Sequence, residues 1–241
     1  MTMLGILKRL LPYERRQQMK RKLFHHQDMQ TRLRNLRRAG FIPKGAIDGG
    51  AYHGDWTKEF WDVWPDVPVL LIEPQPACLK QLSDLAANVP NSSVGCCALG
   101  DSCGMASFAL GETNSGIRTA GSKSEGESIE VPLRTLDSLL GEKMNFSPDF
   151  LKLDLQGFEL HALRGAKNCM RNFEVILLEI SIIRIGDVPV FREVDCFMEE
   201  QGYKIYDLIP QYYRPLDGAL WQIDAFYVRE GSPLISSREW Q

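Results

Sequence analysis

The sequence predicts an α/β fold with a mostly parallel β-sheet that is covered by helices on both faces. Five short apolar runs are separated by helix-sized intervals, and nearly continuous apolar strands of this kind are typical of parallel sheets buried on both sides. These runs cover residues 45–48, 69–73, 93–98, 150–154 and 175–180. Two later runs, 203–208 and 222–229, have no convincing helix between them. We therefore expect a seven-stranded sheet whose final pair of strands is antiparallel.

Two further strands are predicted between the third and fourth apolar runs, at residues 106–110 and 128–133. The stretch that separates them, residues 111–127, is rich in Gly, Ser, Thr and Asn. A loop of this length favours a lid or a binding loop over a plain turn.

The composition indicates one globular domain with a modest appendage. The 241 residues are 44% hydrophobic, which suffices for a substantial core. The six cysteines form no C-x-x-C pair, and with only four histidines they do not predict a zinc site. No apolar run has the length of a membrane span, and the N-terminus lacks the pattern of a signal peptide. We therefore expect a cytoplasmic protein with reduced thiols.

The first 43 residues are predicted to be a basic helical extension of a domain that spans residues 44–241. Residues 1–44 contain 12 Lys or Arg and 2 acidic residues, whereas the remainder contains 16 and 29. Apolar residues near the start fit one helical face followed by basic residues, which is typical of a helix on a membrane surface. They are Leu4, Ile6, Leu7, Leu10 and Leu11. The alternative is a helix that packs on the domain or on a second subunit.

A glycine-rich turn follows the first predicted strand, at Asp48-Gly49-Gly50-Ala51-Tyr52-His53-Gly54. Glycines allow a sharp turn and the close approach of a ligand, and the helix predicted to open near Asp55 offers free N–H groups. Glu73 ends the second strand, 19 residues beyond Gly54, where an acid can bind both hydroxyls of a ribose. The pattern predicts a nucleoside cofactor and leaves NAD and S-adenosylmethionine open.

Over residues 44–229 the chain resembles the FkbM family of S-adenosylmethionine-dependent methyltransferases. The similar blocks are Ile47-Asp48-Gly49-Gly50-Ala51 with Gly54, Ile72-Glu73-Pro74, Arg134-Thr135-Leu136-Asp137-Ser138-Leu139, the run from Phe150 to Glu159, and Leu163-Arg164-Gly165-Ala166. The resemblance implies a Rossmann-like class I methyltransferase fold and S-adenosyl-L-methionine as cofactor. It does not include the basic extension.

The resemblance also implies roles for individual residues. The cofactor-binding candidates are Asp48, Gly49, Gly50, Ala51 and Gly54 around the methionine part, Glu73 with Pro74 at the ribose, and Ala98 with Leu99 beside the adenine. Asp154 ends the fourth strand, where methyltransferases of this class face the reacting centre. A cap for the following helix is the alternative role for Asp154.

Methylation of an alcohol requires removal of a proton, so a general base is expected. Asp154, His53 and Glu179 are the catalytic candidates, and His161 is a further one. The fifth strand ends without an adjacent acidic pair, so no metal site is predicted. Gln156 stands where many relatives carry glutamate, which weakens any mechanism that needs a carboxylate there.

The predicted reaction is O-methylation of a hydroxyl on a sugar, a glycan precursor or a small metabolite. Three aromatic residues, Tyr212, Tyr213 and Trp221, lie between the last two strands and suit a sugar, and the 111–127 loop adds Asn114, Ser115 and Arg118. The basic extension suggests a peripheral contact with the inner face of a membrane. One alternative is a nicotinamide-dependent oxidoreductase, although Gly50-x-x-x-Gly54 departs from G-x-G-x-x-G. Another, less favoured, is a non-catalytic nucleic-acid or scaffold protein.

Overall fold

The computed structural model describes residues 28–110, 116–117, 127–142 and 145–237, and it contains two sheets. The large sheet has seven strands: β1 (Ala46–Gly49), β2 (Val69–Ile72), β3 (Ser93–Gly95), β8 (Phe150–Leu153), β9 (Val175–Ser181), β10 (Tyr203–Tyr213) and β11 (Leu220–Arg229). The small sheet is formed by β4 (Ala98–Leu99), β5 (Gly104–Ala109), β6 (Gly116–Ile117) and β7 (Ser128–Arg134). The large sheet has the order β10-β11-β9-β8-β1-β2-β3.

The predicted sheet is confirmed in its strands and in their direction. Strands β1, β2, β3, β8 and β9 are parallel, and β11 runs antiparallel to both β9 and β10. β10 and β11 are longer than predicted, because they form one extended hairpin.

The third predicted strand, residues 93–98, is wrong as a single element. Ser93–Gly95 pairs with β2 in the large sheet, whereas Ala98 and Leu99 pair with Leu133 and Arg134 of the small sheet. Cys96 and Cys97, which lie between these two strands, connect the large sheet to the small one. Both extra strands predicted after it are present, as β5 and β7, and they pair antiparallel.

The described part of the chain contains six α-helices: α1 (Met29–Arg38), α2 (Asp55–Trp61), α3 (Pro76–Ala86), α4 (Leu136–Leu140), α5 (Glu159–Arg164) and α6 (Phe191–Glu200). Helix α1 precedes β1, and the other five connect strands. Side chains of the sheet alternate between two hydrophobic clusters. Ile47 and Leu151 lie in one cluster, and Ala46 and Phe150 lie in the other. The large sheet is thus covered on both faces, as its apolar strands predicted.

Helix α1 belongs to the stretch predicted as the basic extension, and it packs on the domain. Asp28 caps it by accepting a hydrogen bond from Thr31 N, and Leu33 and Leu36 are fully buried in the cluster that contains Phe150. The amphipathic pattern at Leu4 to Leu11 lies outside the described residues, as do Asn114, Ser115 and Arg118. In the part of the chain that is described, no helix combines the length and the apolar character that crossing a membrane requires.

Candidate active site

The turn after β1 brings the carboxyl ends of three strands together. The N–H groups of Gly50 and Ala51 both donate to the Ile72 carbonyl of β2, at 3.0 Å each. Gly50 has φ +74°, and a Cβ there would lie 1.9 Å from the Asp154 carbonyl oxygen that follows β8. Only glycine satisfies both the left-handed backbone and this approach. The turn therefore fixes where Asp154 lies relative to β1.

Glu73 lies at the end of β2 with only 3% of its surface exposed. Its Oε2 accepts from Tyr52 N at 2.8 Å, and its Oε1 accepts from Gln75 N at 2.9 Å. Burial raises the pKa of Glu73, although these backbone hydrogen bonds oppose the shift. Each carboxylate oxygen keeps capacity for a further donor, so the residue can hold two hydroxyl groups at once.

A cavity of about 420 Å³ opens in front of Gly50 and Glu73, and we call it the first cavity. This volume falls within the range of about 300–1,000 Å³ for small-molecule sites. Its apolar wall is formed by Ile72, Pro74, Ala98, Leu99, Phe108 and Ile117. Phe108 and Ile117 come from the small sheet, so that sheet closes one side of the cavity.

The polar end of the first cavity is formed by Asp154, Gln156 and Glu179. Gln156 Nε2 donates to Asp154 Oδ1 at 2.9 Å and to Glu179 Oε2 at 3.1 Å. Burial raises the pKa of Glu179 to about 9, and the negative charges of Asp154, Glu159 and Asp224 add to the shift. Glu179 is therefore a neutral carboxylic acid near pH 7 and can donate a hydrogen bond.

Glu159 fixes the loop that carries Asp154 and Gln156. Its Oε1 accepts from Leu155 N at 2.6 Å and from Gly157 N at 3.2 Å, and the side chain is 5% exposed. Burial raises the pKa of Glu159 to about 7. These bonds hold the loop so that the polar end of the cavity is formed before any ligand arrives.

The FkbM methyltransferase domain family matches residues 48–205, which is well over half of the chain. The chain belongs to the FkbM methyltransferase family. The match supports a methyltransferase domain on the α/β fold described above. Neither the nicotinamide-dependent oxidoreductase nor the non-catalytic alternative gains support.

Solved methyltransferase structures show only distant similarity to this chain. The FkbM methyltransferase of Methylobacillus flagellatus KT is 18% identical, with a TM-score of 0.49, over 78% of this chain and 46% of that chain. This chain thus spans less than half of that protein. Fibrillarin from Aeropyrum pernix, solved with bound S-adenosyl-L-methionine, is 14% identical, with a TM-score of 0.45, over 80% of this chain and 74% of that one. No curated protein sequence matches significantly.

The residues of the first cavity fit S-adenosyl-L-methionine. Glu73 offers two acceptors for ribose hydroxyls, and Ala98 with Leu99 provides an apolar surface for a purine. Because Gly50 has no side chain, a ligand can approach the backbone closely where Gly50 lines the cavity. Trp221 also lines this cavity, and its buried Nε1 has no hydrogen-bond partner among the described residues.

Asp48 does not line the first cavity, contrary to the role that the family resemblance implied. Its side chain is fully buried; Oδ2 accepts from Thr57 Oγ1 at 2.7 Å, and Oδ1 lies 2.9 Å from Lys152 Nζ. Lys152 Nζ also donates to the Gly50 carbonyl at 3.1 Å. Asp48 therefore stabilises the turn indirectly, because the Lys152 ammonium that it binds also donates to the Gly50 carbonyl.

Gly49 and Gly54, two other residues predicted to bind the cofactor, instead allow neighbouring side chains to pack closely against the backbone. A Cβ on Gly49 would lie 2.7 Å from Leu153 Cδ2, and one on Gly54 would lie 2.4 Å from Leu85 Cδ2. Ala51 lines a second cavity next to the first. Among the predicted cofactor-binding residues, Gly50, Glu73, Pro74, Ala98 and Leu99 line the first cavity.

The catalytic candidates are only partly brought together. Asp154 and Glu179 line both cavities, whereas His53 lines the second cavity alone. The further candidate His161 lines neither, because its Nδ1 lies 3.1 Å from Asp101 Oδ2 and its ring stacks on Phe158. Among the described residues, no cluster of three His, Cys, Asp or Glu side chains is arranged to hold a metal ion.

The alternative role of Asp154 as a helix cap is wrong. Helix α5 begins at Glu159, its N-cap is Phe158, and the Asp154 side chain instead accepts from Gln156. The sequence reasoning also missed Tyr52, Gln75, Phe108 and Ile117 as lining residues. Tyr52 lay inside the quoted turn, and Ile117 lay inside the 111–127 stretch that was predicted as a lid or a binding loop, but Phe108 had no local signal.

Proposed function

We propose that this methyltransferase transfers the methyl group to a hydroxyl of a sugar, a glycan precursor or a related small metabolite. The first cavity would hold the cofactor, with Glu73 binding its ribose hydroxyls and Ala98 and Leu99 packing against its adenine. The observation that carries the proposal is the position of Asp154, which lines the first cavity and the second cavity together. A group at that junction can contact the acceptor where it meets the cofactor.

Asp154 is the best-placed general base among the three candidates. Glu179 holds its own proton near pH 7, because its pKa is raised to about 9, so it cannot accept one there. His53 lines only the second cavity. The Asp154 Oδ1 accepts one hydrogen bond from Gln156, and a carboxylate oxygen keeps capacity for another donor.

The proposed step requires few groups from the protein. When bound, S-adenosyl-L-methionine supplies a methyl group activated by the sulfonium charge. The acceptor hydroxyl oxygen forms a bond to the methyl carbon, the carbon–sulfur bond breaks, and Asp154 takes the hydroxyl proton. The products are a methyl ether and S-adenosylhomocysteine. The neutral Glu179 donates a hydrogen bond that orients the acceptor, and alignment with exclusion of water supplies most of the rate.

Aromatic side chains near Asp154 support a sugar as acceptor. Tyr212 and Trp221 both line the first cavity, and Tyr212 lies on the second cavity as well, with 55% of its surface exposed. Sugar rings present C–H faces that pack on aromatic rings, and their hydroxyls require hydrogen-bonding groups nearby. Gln156 and Gln222 provide such groups on the same cavity.

Label transfer with Asp154→Asn tests this proposal. The protein is incubated with isotope-labelled S-adenosyl-L-methionine and a panel of sugars and their amine analogues, and mass spectrometry locates the methyl group. We expect label on oxygen and a fall in kcat of about 100-fold or more in Asp154→Asn, since general bases contribute about 10²–10⁴-fold. Affinity for S-adenosylhomocysteine stays unchanged. Label on nitrogen, or full activity in the variant, would contradict the proposal.

We also propose that the basic extension holds the acceptor side of the domain against an anionic membrane. Met29, the first residue of α1, lines the second cavity, so the preceding residues join the domain beside the acceptor side. Flotation with phosphatidylglycerol vesicles compares the full chain with a chain lacking residues 1–27. We expect only the full chain to float, and not with phosphatidylcholine vesicles. Equal recovery in the unbound fraction would end this proposal.

A further inference from the structure

The second cavity has a volume of about 360 Å³ and adjoins the first. The two cavities share Gly50, Tyr52, Asp154, Glu179 and Tyr212 as lining residues. These residues belong to the turn after β1, to the loop after β8, to the end of β9 and to β10. A molecule in the second cavity would therefore meet the first cavity at these shared residues, which include Asp154 and Glu179.

The side chains around the second cavity carry an excess of acid. Asp154 and Asp224 line it beside the protonated Glu179, and Lys152 is the only Lys or Arg among its described lining residues. Burial raises the pKa of Asp224 to about 7, so its carboxyl is charged above that pH. That ammonium lies 2.9 Å from the buried Asp48 carboxylate, so its charge is already matched. A fourth acid at the rim, Asp55, pairs with Lys58 at 2.7 Å.

Two ring nitrogens on this cavity have no partner. His53 Nδ1 and Trp56 Nε1 are buried from solvent, and neither forms a hydrogen bond with any described residue. Both residues line the second cavity. A buried polar atom without a partner is costly, and native proteins normally satisfy such atoms with a ligand or an ordered water. A ligand in the second cavity would satisfy either atom after a rotation of its side chain toward the cavity.

We propose that the second cavity is the acceptor chamber and that it selects a polyhydroxyl acceptor without negative charge, a neutral sugar or an amino sugar. Trp56 Nε1 and His53 Nδ1 bond to its hydroxyls, and Asp224 with Asp154 repels carboxylate or phosphate groups. This inference rests on the proposed function and narrows its substrate class. It assigns a role in specificity to His53, Trp56 and Asp224.

Charge selection follows from the position of Asp224. Its carboxylate is held by Gln211, and the residue lines the second cavity but not the first. An anionic group beside it and Asp154 meets like charges at short range in a site with a low dielectric constant. An amino group in the same place meets opposite charges. The cavity therefore discriminates between acceptors of the same shape by their charge.

Three probes of one shape test the proposal: D-glucose, D-glucosamine and D-glucuronate. Each is titrated to roughly 0.1 M into the S-adenosylhomocysteine-loaded full chain at about pH 7.5, above the pKa of about 7 to which burial raises Asp224. The readout is the indole N–H resonance of Trp56, assigned with Trp56→Phe. The Trp61 indole is the internal control, because its Nε1 donates to the Val67 carbonyl at 2.9 Å. We expect glucose and glucosamine to shift the Trp56 resonance and glucuronate to bind at least about tenfold more weakly.

Asp224→Asn provides the matched variant, with the exposed Asp84→Asn as control. We expect Asp224→Asn to strengthen glucuronate binding and to weaken glucosamine binding, and Asp84→Asn to change neither. Equal or tighter binding of glucuronate to the unmodified chain would overturn the proposal. So would the absence of any shift at Trp56 with all three probes. Calorimetry with S-adenosylhomocysteine and the Asp154→Asn assay report on the proposed function separately, so the two can fail independently.

Discussion

The Lys152 ammonium lies 2.9 Å from Asp48 Oδ1, and the pair is almost completely buried, with side-chain exposures of 9% and 0%. Burial alone would lower the pKa of Lys152, but the carboxylates of Asp48 and Asp154 raise it overall. The same ammonium donates to the Gly50 carbonyl and lies 3.8 Å from Asp154 Oδ2. This ion pair thus connects the glycine turn to the proposed general base.

Removing one partner of this pair should be strongly destabilising. Lys152→Met leaves the Asp48 carboxylate buried without its cation, and such changes cost about 3–5 kcal/mol. Urea denaturation measures the free energy of unfolding. The control is Lys80→Met, which breaks a solvent-exposed pair with Asp84 and should leave stability unchanged. Equal effects of the two substitutions would contradict the role assigned to Lys152.

Three glycine-to-alanine substitutions, one in the glycine turn and two outside it, should destabilise the fold to different degrees. Gly50→Ala combines a left-handed backbone with a clash against the Asp154 carbonyl and should cost about 3 kcal/mol or more. Gly40→Ala has the strained φ of +94° but nothing within 4 Å, so about 1 kcal/mol is expected. Gly104→Ala has neither feature and should be tolerated. Urea denaturation checks the order, and a Gly50→Ala protein as stable as Gly104→Ala would contradict it.

Glu73→Gln tests the ribose acceptor. The variant keeps one carbonyl oxygen for the backbone donors but loses the charge and the second acceptor, so affinity for S-adenosylhomocysteine should fall about tenfold or more. Calorimetry measures the dissociation constant, and a thermal melt verifies the fold. Glu199→Gln, on the exposed face of α6, serves as control and should bind like the unmodified chain. Unchanged affinity in Glu73→Gln would remove Glu73 from the binding site.

The raised pKa of Glu179 predicts how stability depends on pH. The folded state keeps this proton up to about pH 9, whereas the unfolded chain releases it near the ordinary value of 4.5. Between these values the folded state binds more protons, so the contribution of Glu179 to stability falls as pH rises. Glu179→Gln should therefore match the unmodified chain at pH 4.5 but melt at least about 2–4 °C higher near pH 8, because the linked loss of stability over this pH interval exceeds about 1 kcal/mol. A destabilised variant at the higher pH would refute this assignment.

The sequence allowed prediction of those parts of the fold that depend on local patterns. Continuous apolar runs gave the parallel strands, and the spacing from Gly54 to Glu73 identified a carboxylate that the structure places on the first cavity. The loop from Asp154 to Glu159 was marked by family resemblance. In each case the informative residues are close in sequence or follow consecutive strands.

Other parts depend on contacts between distant segments. Phe108 and Ile117 reach the first cavity only because the small sheet folds over it, and no local pattern encodes that pairing. Asp48 lies opposite Lys152 in the register of β1 and β8. A lysine within the apolar run Phe150-Leu151-Lys152-Leu153 was the available signal that a buried acid would face it.

The most direct test of the account is a crystal structure of the chain with S-adenosylhomocysteine bound. The account predicts that the ribose hydroxyls lie within hydrogen-bond distance of the two Glu73 carboxylate oxygens, and that the adenine packs beside Ala98 and Leu99. It also predicts that the sulfur faces the junction of the two cavities, where Asp154 lies. A ligand outside the first cavity, or an Asp154 carboxylate that points away from the sulfur, would contradict it.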